Sequence, residues 1–277
     1  MSVETWKEEK RSPSRVVSDS DGWRGKYVTE DVRLAGSEYR QCHAFDGKGF
    51  RTLLSKCLRP PMVVLAGSST VARNYTDDFP DRLGWMLSPG DWKNTPDGLC
   101  YALDNGAFGA YLHGVEFDAG AWLGHVAKAI KSEKPPRFLV VPDVVTKAAE
   151  TLELWEIFAP ALRQLSDVPL ALAVQDGMTV DDVLELDHQP DIVFIGGTKQ
   201  FKIDTLVSWC RFDRVHVGGV NSLNMLWECD FNGVESVDGS GWFRGDQNQL
   251  ARLVSYLRDS KEGRRPATLF NQEGARP

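Results

Sequence analysis

No stretch of the 277 residues approaches the roughly 20 consecutive apolar residues that a membrane-spanning helix needs. No CxxC or CxCxxC spacing occurs, and the five cysteines stand scattered at 42, 57, 100, 210 and 229. Their odd number and wide spacing speak against a disulfide framework and against a zinc ribbon. Cys42-His43, adjacent in one segment, is poor metal-ligand geometry. The cysteines read as reduced packing residues. No G-x-G-x-x-G is present, so a dinucleotide-binding fold has no specific support. The first residues, MSVETWKEEKRS, are polar and charged. They predict no signal peptide, no membrane partner and a cytoplasmic location.

The chain does hold enough apolar material for one large core: 42% of its residues are hydrophobic and 26% charged. Net charge is -7, whereas a dedicated nucleic-acid binder usually reads basic. The charge is uneven. Residues 1–61 carry 12 basic against 9 acidic residues, and 251–277 carry 6 against 3. Between them, 62–250 carry 14 against 27. An acidic body with basic ends can still hold a polyanion along one face, and soluble charged tails explain the same pattern.

Three regions follow from composition and periodicity: an N-terminal extension over 1–60, a body over 61–260 and a C-terminal tail over 261–277. Residues 1–25 read as a loosely docked or mobile arm. The spacing of Phe50, Leu53, Leu54 and Cys57 predicts a helix over 47–58. From Met62 a regular rhythm begins. Apolar runs at 62–67, 83–87, 100–104, 137–143, 169–177, 191–199, 213–221 and 233–239 alternate with helical patterns. Asp118 reads as a helix N-cap, Thr179 with Asp182 as a capping box, Asn221 or Ser222 as a cap, and Asp246 with Gln249 as a second box. Eight such units predict parallel strands with right-handed crossovers. A closed (β/α)8 barrel of the TIM type fits the count and the length better than an open doubly wound sheet. The long connections after the first three strands predict extra structure over the mouth.

The polar residues at the strand ends carry the chemistry. They are Asp104, Asp143, Gln175, Gly196-Gly197, Asp238 and, within the seventh strand, His216. A barrel gathers such ends at one mouth. An isolated aspartate titrates near ~3.9. Crowded carboxylates raise one another, so one can hold a proton and act as an acid. That suits displacement at a sugar carbon, where one carboxylate attacks and another handles the leaving group's proton. Asp143 can accept two parallel N–H bonds, Gln175 offers a donor and an acceptor, and Gly197 exposes its backbone N–H. Those groups suit a flat heterocycle. Each has a structural alternative: a loop cap for Asp143, a core hydrogen bond for Gln175, an interior barrel residue for His216, a turn cap for Asp238.

Taken in order, LDNGAF, VVPDVV, AVQDG, FIGGTKQFK, VHVGGVNS and ESVDGSG resemble the tRNA-guanine transglycosylase superfamily, from about Met62 to Leu257. The pattern is most similar to its DNA-acting branch, the phage 7-deazaguanine insertion enzymes (DpdA type). The resemblance implies that Asp238 is the nucleophile at C1′ of a guanosine nucleotide and Asp104 the general acid/base. It places Asp143, Gln175, Gly196 and Gly197 around the base, with His216 and Phe108 in the same substrate-binding set. Lys199, Lys202 and Arg244 would meet a phosphate backbone, with Phe201 as a stacking group. The roles of His216 and Asn221 do not follow from their types. The zinc segment of the tRNA enzymes and their RNA-binding extensions have no counterpart here, which points to DNA rather than tRNA. The expected partners are DNA and a free 7-deazaguanine base, with no metal or organic cofactor. A barrel enzyme for a small phosphorylated substrate is a second reading, on the glycine pairs of the late strands. A non-catalytic nucleic-acid-binding relative is a third.

Overall fold

The computed structural model describes residues 61–67, 69–90, 100–244 and 246–261, together with the backbone of five strands before residue 60. The chain divides into two units, Met1–Pro60 and Pro61–Pro277. In the first, β1 (Val16–Ser18) pairs antiparallel with β2 (Arg24–Lys26). A separate three-stranded antiparallel sheet runs β3 (Val28–Leu34), β4 (Ser37–Phe45), β5 (Phe50–Ser55). The helix expected over 47–58 is therefore a strand. Backbone pairing with β4 along all of β5 outweighs the local helical spacing, as tertiary context commonly does over propensity. The expected arm over 1–25 contains β1 and the start of β2. Its other residues lie outside the described set, as does the expected tail after Lys261.

The second unit is a closed barrel of eight parallel strands. They are β6 (Val63–Ala66), β7 (Leu83–Leu87), β8 (Tyr101–Leu103), β9 (Leu139–Val140), β10 (Leu170–Val174), β11 (Ile192–Ile195), β12 (Val215–Val217) and β13 (Ser236–Asp238). Helix α1 (Thr70–Thr76) links β6 to β7. Two helices, α2 (Ala107–His113) and α3 (Ala119–Ala129), fill the long connection after β8. Then α4 (Ala148–Leu165), α5 (Val180–Leu184), α6 (Lys199–Trp209) and α7 (Leu223–Phe231) alternate singly with strands. A 3-10 turn (Ser240–Phe243) and α8 (Gln247–Lys261) close the unit. This is the (β/α)8 barrel that the rhythm predicts, with β13 hydrogen-bonded back to β6.

Local chemistry explains the helix starts. Asp118 accepts from the Ala121 N–H at 2.8 Å, and Thr179 with Asp182 forms a reciprocal capping box. Ser222, not Asn221, caps α7. Asp246 caps α8, but the expected second box is only half formed. The Gln249 amide reaches instead to the Asn221 carbonyl at 2.9 Å, tying α8 to the loop after β12.

Two apolar layers hold the barrel. Outside it, Trp122, Trp155, Trp209 and Tyr256 lie fully buried between strands and helices. Inside it, Val63, Leu65, Ala102, Phe138, Val140, Ala171, Ala173 and Ile192 form a second cluster. Among the described residues no helix is long and apolar enough to cross a membrane. At the strands' N-terminal end, Glu235 takes hydrogen bonds from Arg137 at 2.7 Å and from Arg214 at 2.6 and 2.9 Å. This joins the entries of β9, β12 and β13 on the face that barrels use for stability. Burial pulls Glu235 upward, yet the hydrogen bonds and charges of Arg214, then Arg137, outweigh it and hold the carboxyl below its usual value. Glu235→Ala leaves two guanidinium groups without their acceptor. Urea unfolding at neutral pH is expected to show a loss of roughly 1–3 kcal/mol.

Candidate active site

A strand's pleat sends alternate residues to opposite faces. Cys100 and Ala102, Ala171 and Ala173, and Ile192 and Phe194 all pack in the barrel interior. Two residues further along each series come Asp104, Gln175 and Gly196. His216 also lies inside, its ring against Phe138 and Phe194, and Ser236 bonds to it. Two residues on from these are Gly218 and Asp238. The uppermost inward layer on five strands is thus polar or glycine. It lies at the C-terminal face, where barrel enzymes place their reacting groups.

Asp143, just past β9, is held from both sides. Asn105 donates to its Oδ1 at 2.7 Å and Gln175 to its Oδ2 at 2.6 Å. Neither amide can turn round without loss. The Asn105 Oδ1 accepts from the Ala107 N–H at 2.8 Å, while its Nδ2 also meets the Val141 carbonyl. The Gln175 Oε1 accepts from the Thr146 N–H at 3.0 Å. Backbone donors therefore fix both amides with their N–H groups toward Asp143, and both its oxygens act as acceptors. Burial raises the Asp143 carboxyl to about 6, while the Asn105 and Gln175 hydrogen bonds oppose the rise. Thr146 holds its N–H in place at φ 63°. That region is costly for a β-branched residue, so the bond to Gln175 is made against local strain.

Asp104 has a different environment. Loss of solvent raises its carboxyl to about 7, and the charges of Asp238 and Asp143 add to the rise. The backbone N–H groups of Gly106 and Asn105 only partly offset it. Near neutrality this group is therefore part-protonated. Asp238 instead faces donors. The Gly219 N–H reaches its Oδ1 at 2.8 Å and the His216 Nε2 its Oδ2 at 3.1 Å. Its side chain keeps 21% exposure, so part of the carboxylate faces the mouth.

The glycines after β11 have distinct tasks. A Cβ on Gly196 would stand 2.9 Å from the Gln175 Nε2, so a side chain there would displace that amide. Gly197 has φ 71°, and a Cβ would run into the Asp176 carboxylate. Asp176 in turn clamps the Thr198 N–H and hydroxyl. Asn221 ties two loops together: its Oδ1 accepts from the Gly241 N–H at 2.7 Å and its Nδ2 donates to the Gly219 carbonyl at 3.2 Å.

The structure thus brings Asp104, Asp143, Gln175, Gly196, His216 and Asp238 into one constellation. Lys202, on α6, approaches it as well. Its Nζ donates to the Gly218 carbonyl at 2.7 Å. Burial pulls its ammonium down, and Asp238 and Asp176 pull it back up. Phe201 is half-buried and lies close under Gly197. Lys199 and Arg244 are exposed on α6 and after the 3-10 turn, and Phe108, 60% exposed, is the second residue of α2. Asn105, Thr146 and Ser236 have functional places that the sequence reading did not assign. Asn105 looks like a turn residue before a glycine. Ser236 was findable, since it precedes Asp238 by two and so shares its face.

The raised carboxyls have a thermodynamic consequence. Between the ordinary aspartate value and about 7, native Asp104 binds more proton than the unfolded chain does. The contribution of Asp104 to stability therefore falls as pH rises through that window. Asp104→Asn removes this contribution. Its melting temperature is expected to exceed the wild type's by a margin that grows from about pH 4 to about pH 8. Calorimetry at several pH values checks this, and a lower melting temperature at the alkaline end would contradict it. Set against models of known protein families and against curated proteins, the chain finds no match.

Proposed function

We propose that the protein is a DNA-guanine transglycosylase that exchanges guanine in DNA for a 7-deazaguanine base, such as the 7-cyano form. The observation that supports this most is the fixed polarity of Asp143. With Asn105 and Gln175 locked as donors to it, its remaining lone pairs can only accept. A ligand there must offer N–H groups side by side, as the N1–H and 2-amino edge of guanine does. Gly196 packs against the Gln175 amide, where a side chain would displace it. The resemblance of the six strand-end motifs to the transglycosylase superfamily points the same way.

The two other carboxylates divide the remaining work. A guanine turned out of the stack costs a few kcal/mol of lost pairing and stacking. An Asp238 oxygen attacks C1′ and the C1′–N9 bond breaks, its electron pair going to the ring. Asp104, part-protonated near neutrality, gives that ring a proton. The result is an ester between Asp238 and deoxyribose plus free guanine. The 7-deazaguanine then occupies the same acceptor site. Asp104 takes the N9 proton, N9 attacks C1′, and the Asp238 carboxylate is released. Two displacements retain the sugar's configuration. The exposed cations Lys199 and Arg244 and the ring of Phe108 are the groups left to meet the flanking strand.

The test is incubation of DNA with labelled 7-deazaguanine, followed by digestion to nucleosides. Wild type should place label in DNA, and Asp238→Asn should not. Asp104→Asn is expected to slow exchange by about 10²–10⁴-fold. Exchange should also weaken below about pH 6, as Asp143 gains a proton and one of its two oxygens becomes a donor. Absence of label with wild type, or label in RNA alone, would defeat the proposal.

A further inference from the structure

His216 does not reach the mouth. Its side chain is 0% exposed, and Phe138 and Phe194 enclose its ring at centroid distances of 5.2 and 4.6 Å. The three residues Phe194, His216 and Ser236 stand in register on β11, β12 and β13. Gly218 keeps that row intact, since a Cβ there would meet the Phe194 ring at 2.7 Å. At its two nitrogens the imidazole touches Ser236 Oγ, 2.8 Å from Nδ1, and Asp238 Oδ2, 3.1 Å from Nε2.

We propose that His216 is a positioning residue that aims Asp238, with Ser236 fixing the imidazole as the Nε2–H tautomer. The reasoning is one of donors and acceptors. A carboxylate oxygen only accepts, so Nε2 must carry the proton that faces Asp238. Two phenyl rings wall the imidazole off from water. A neutral ring carries a single N–H, so Nδ1 is then bare and accepts a hydrogen bond from the Ser236 hydroxyl. Ser236 lies two residues before Asp238 on the same strand face, so one short strand carries both the carboxylate and the group that orders its partner. The other charged groups that face Asp238 are Asp104 and Lys202. Neither has a hydrogen bond to it among those described. With Gly219 on Oδ1 and His216 on Oδ2, the carboxylate has one orientation. In reaction terms, that orientation keeps a free lone pair directed at the incoming C1′. That last step rests on the function proposed above, whereas the tautomer and the hydrogen bond do not.

Nitrogen NMR of histidine-labelled protein tests the geometry without substrate. The spectrum is expected to show His216 as a neutral Nε2–H imidazole, with a downfield Nε2 proton that moves upfield in Asp238→Ala. In Ser236→Ala, which removes little volume, the Nδ1 signal should move as that nitrogen loses its hydroxyl donor. A predominant Nδ1–H form, or Ser236→Ala signals identical to wild type, would overturn the inference. The kinetic test uses the exchange assay. His216→Phe fills the space without a donor and is expected to lower kcat by about 10–100-fold with KM for DNA unchanged. His216→Gln, which keeps an N–H, should recover part of the loss. Equal kcat in all three proteins, or a change in KM alone, would count against the positioning role. Should exchange be absent altogether, the NMR arm still decides the hydrogen-bond claim, so failure of the proposed function and failure of this inference remain distinguishable.

Discussion

Closure of eight pleated strands into a barrel leaves every second side chain facing one narrow interior. That constraint decides most of what the mouth contains. Ala102, Ala173, Phe194, His216 and Ser236 sit below it, so the next inward residues on their strands can only be Asp104, Gln175, Gly196, Gly218 and Asp238. A shift of one residue on any strand would send these polar groups outward into the apolar layer beneath the helices. The apolar partners on either side of each strand forbid that shift. Long separations in sequence are thereby converted into contact, and Asp104 feels the charges of Asp143 and Asp238.

Three aspartates of one intrinsic chemistry acquire three characters from their surroundings. Asp143 is ringed by amides whose direction the backbone sets, and it becomes an acceptor for donors. Asp104 loses solvent and gains two negative neighbours, which raise its carboxyl to about 7. Asp238 keeps some exposure and faces His216 and the Gly219 N–H. Such crowding costs stability, as functional sites commonly do. The strained backbone at Thr146 is part of the same cost. The Arg137–Glu235–Arg214 cluster at the opposite end contributes in the other direction.

Much of this was legible in the residues because the relevant signals are local. Apolar runs mark strands, and a polar residue at the end of such a run stands out, as Asp104, Gln175 and Asp238 do. Caps at Asp118 and Thr179 are equally local. What was not legible depends on contacts across the chain. The strand at Phe50–Ser55 needs its pairing with β4 to exist, and in isolation the segment reads as helix. Lys202 looks like a surface lysine on α6 until the Gly218 carbonyl, 16 residues on, is placed beside it. The Gln249 side chain deserts its own helix start for a carbonyl of a different loop. Asn105 shows its worth only when Val141 and Asp143 arrive from the neighbouring strand.

The central claim is that the mouth is an acceptor site for a flat ring with paired N–H donors. Isothermal calorimetry with free guanine and free hypoxanthine tests it most directly, since the two differ by the 2-amino group. Guanine is expected to bind more than about tenfold tighter, with the preference lost in Asp143→Asn, because a site built for a donor penalises its absence. Equal affinity for the two bases, or a preference that survives Asp143→Asn, would contradict the account.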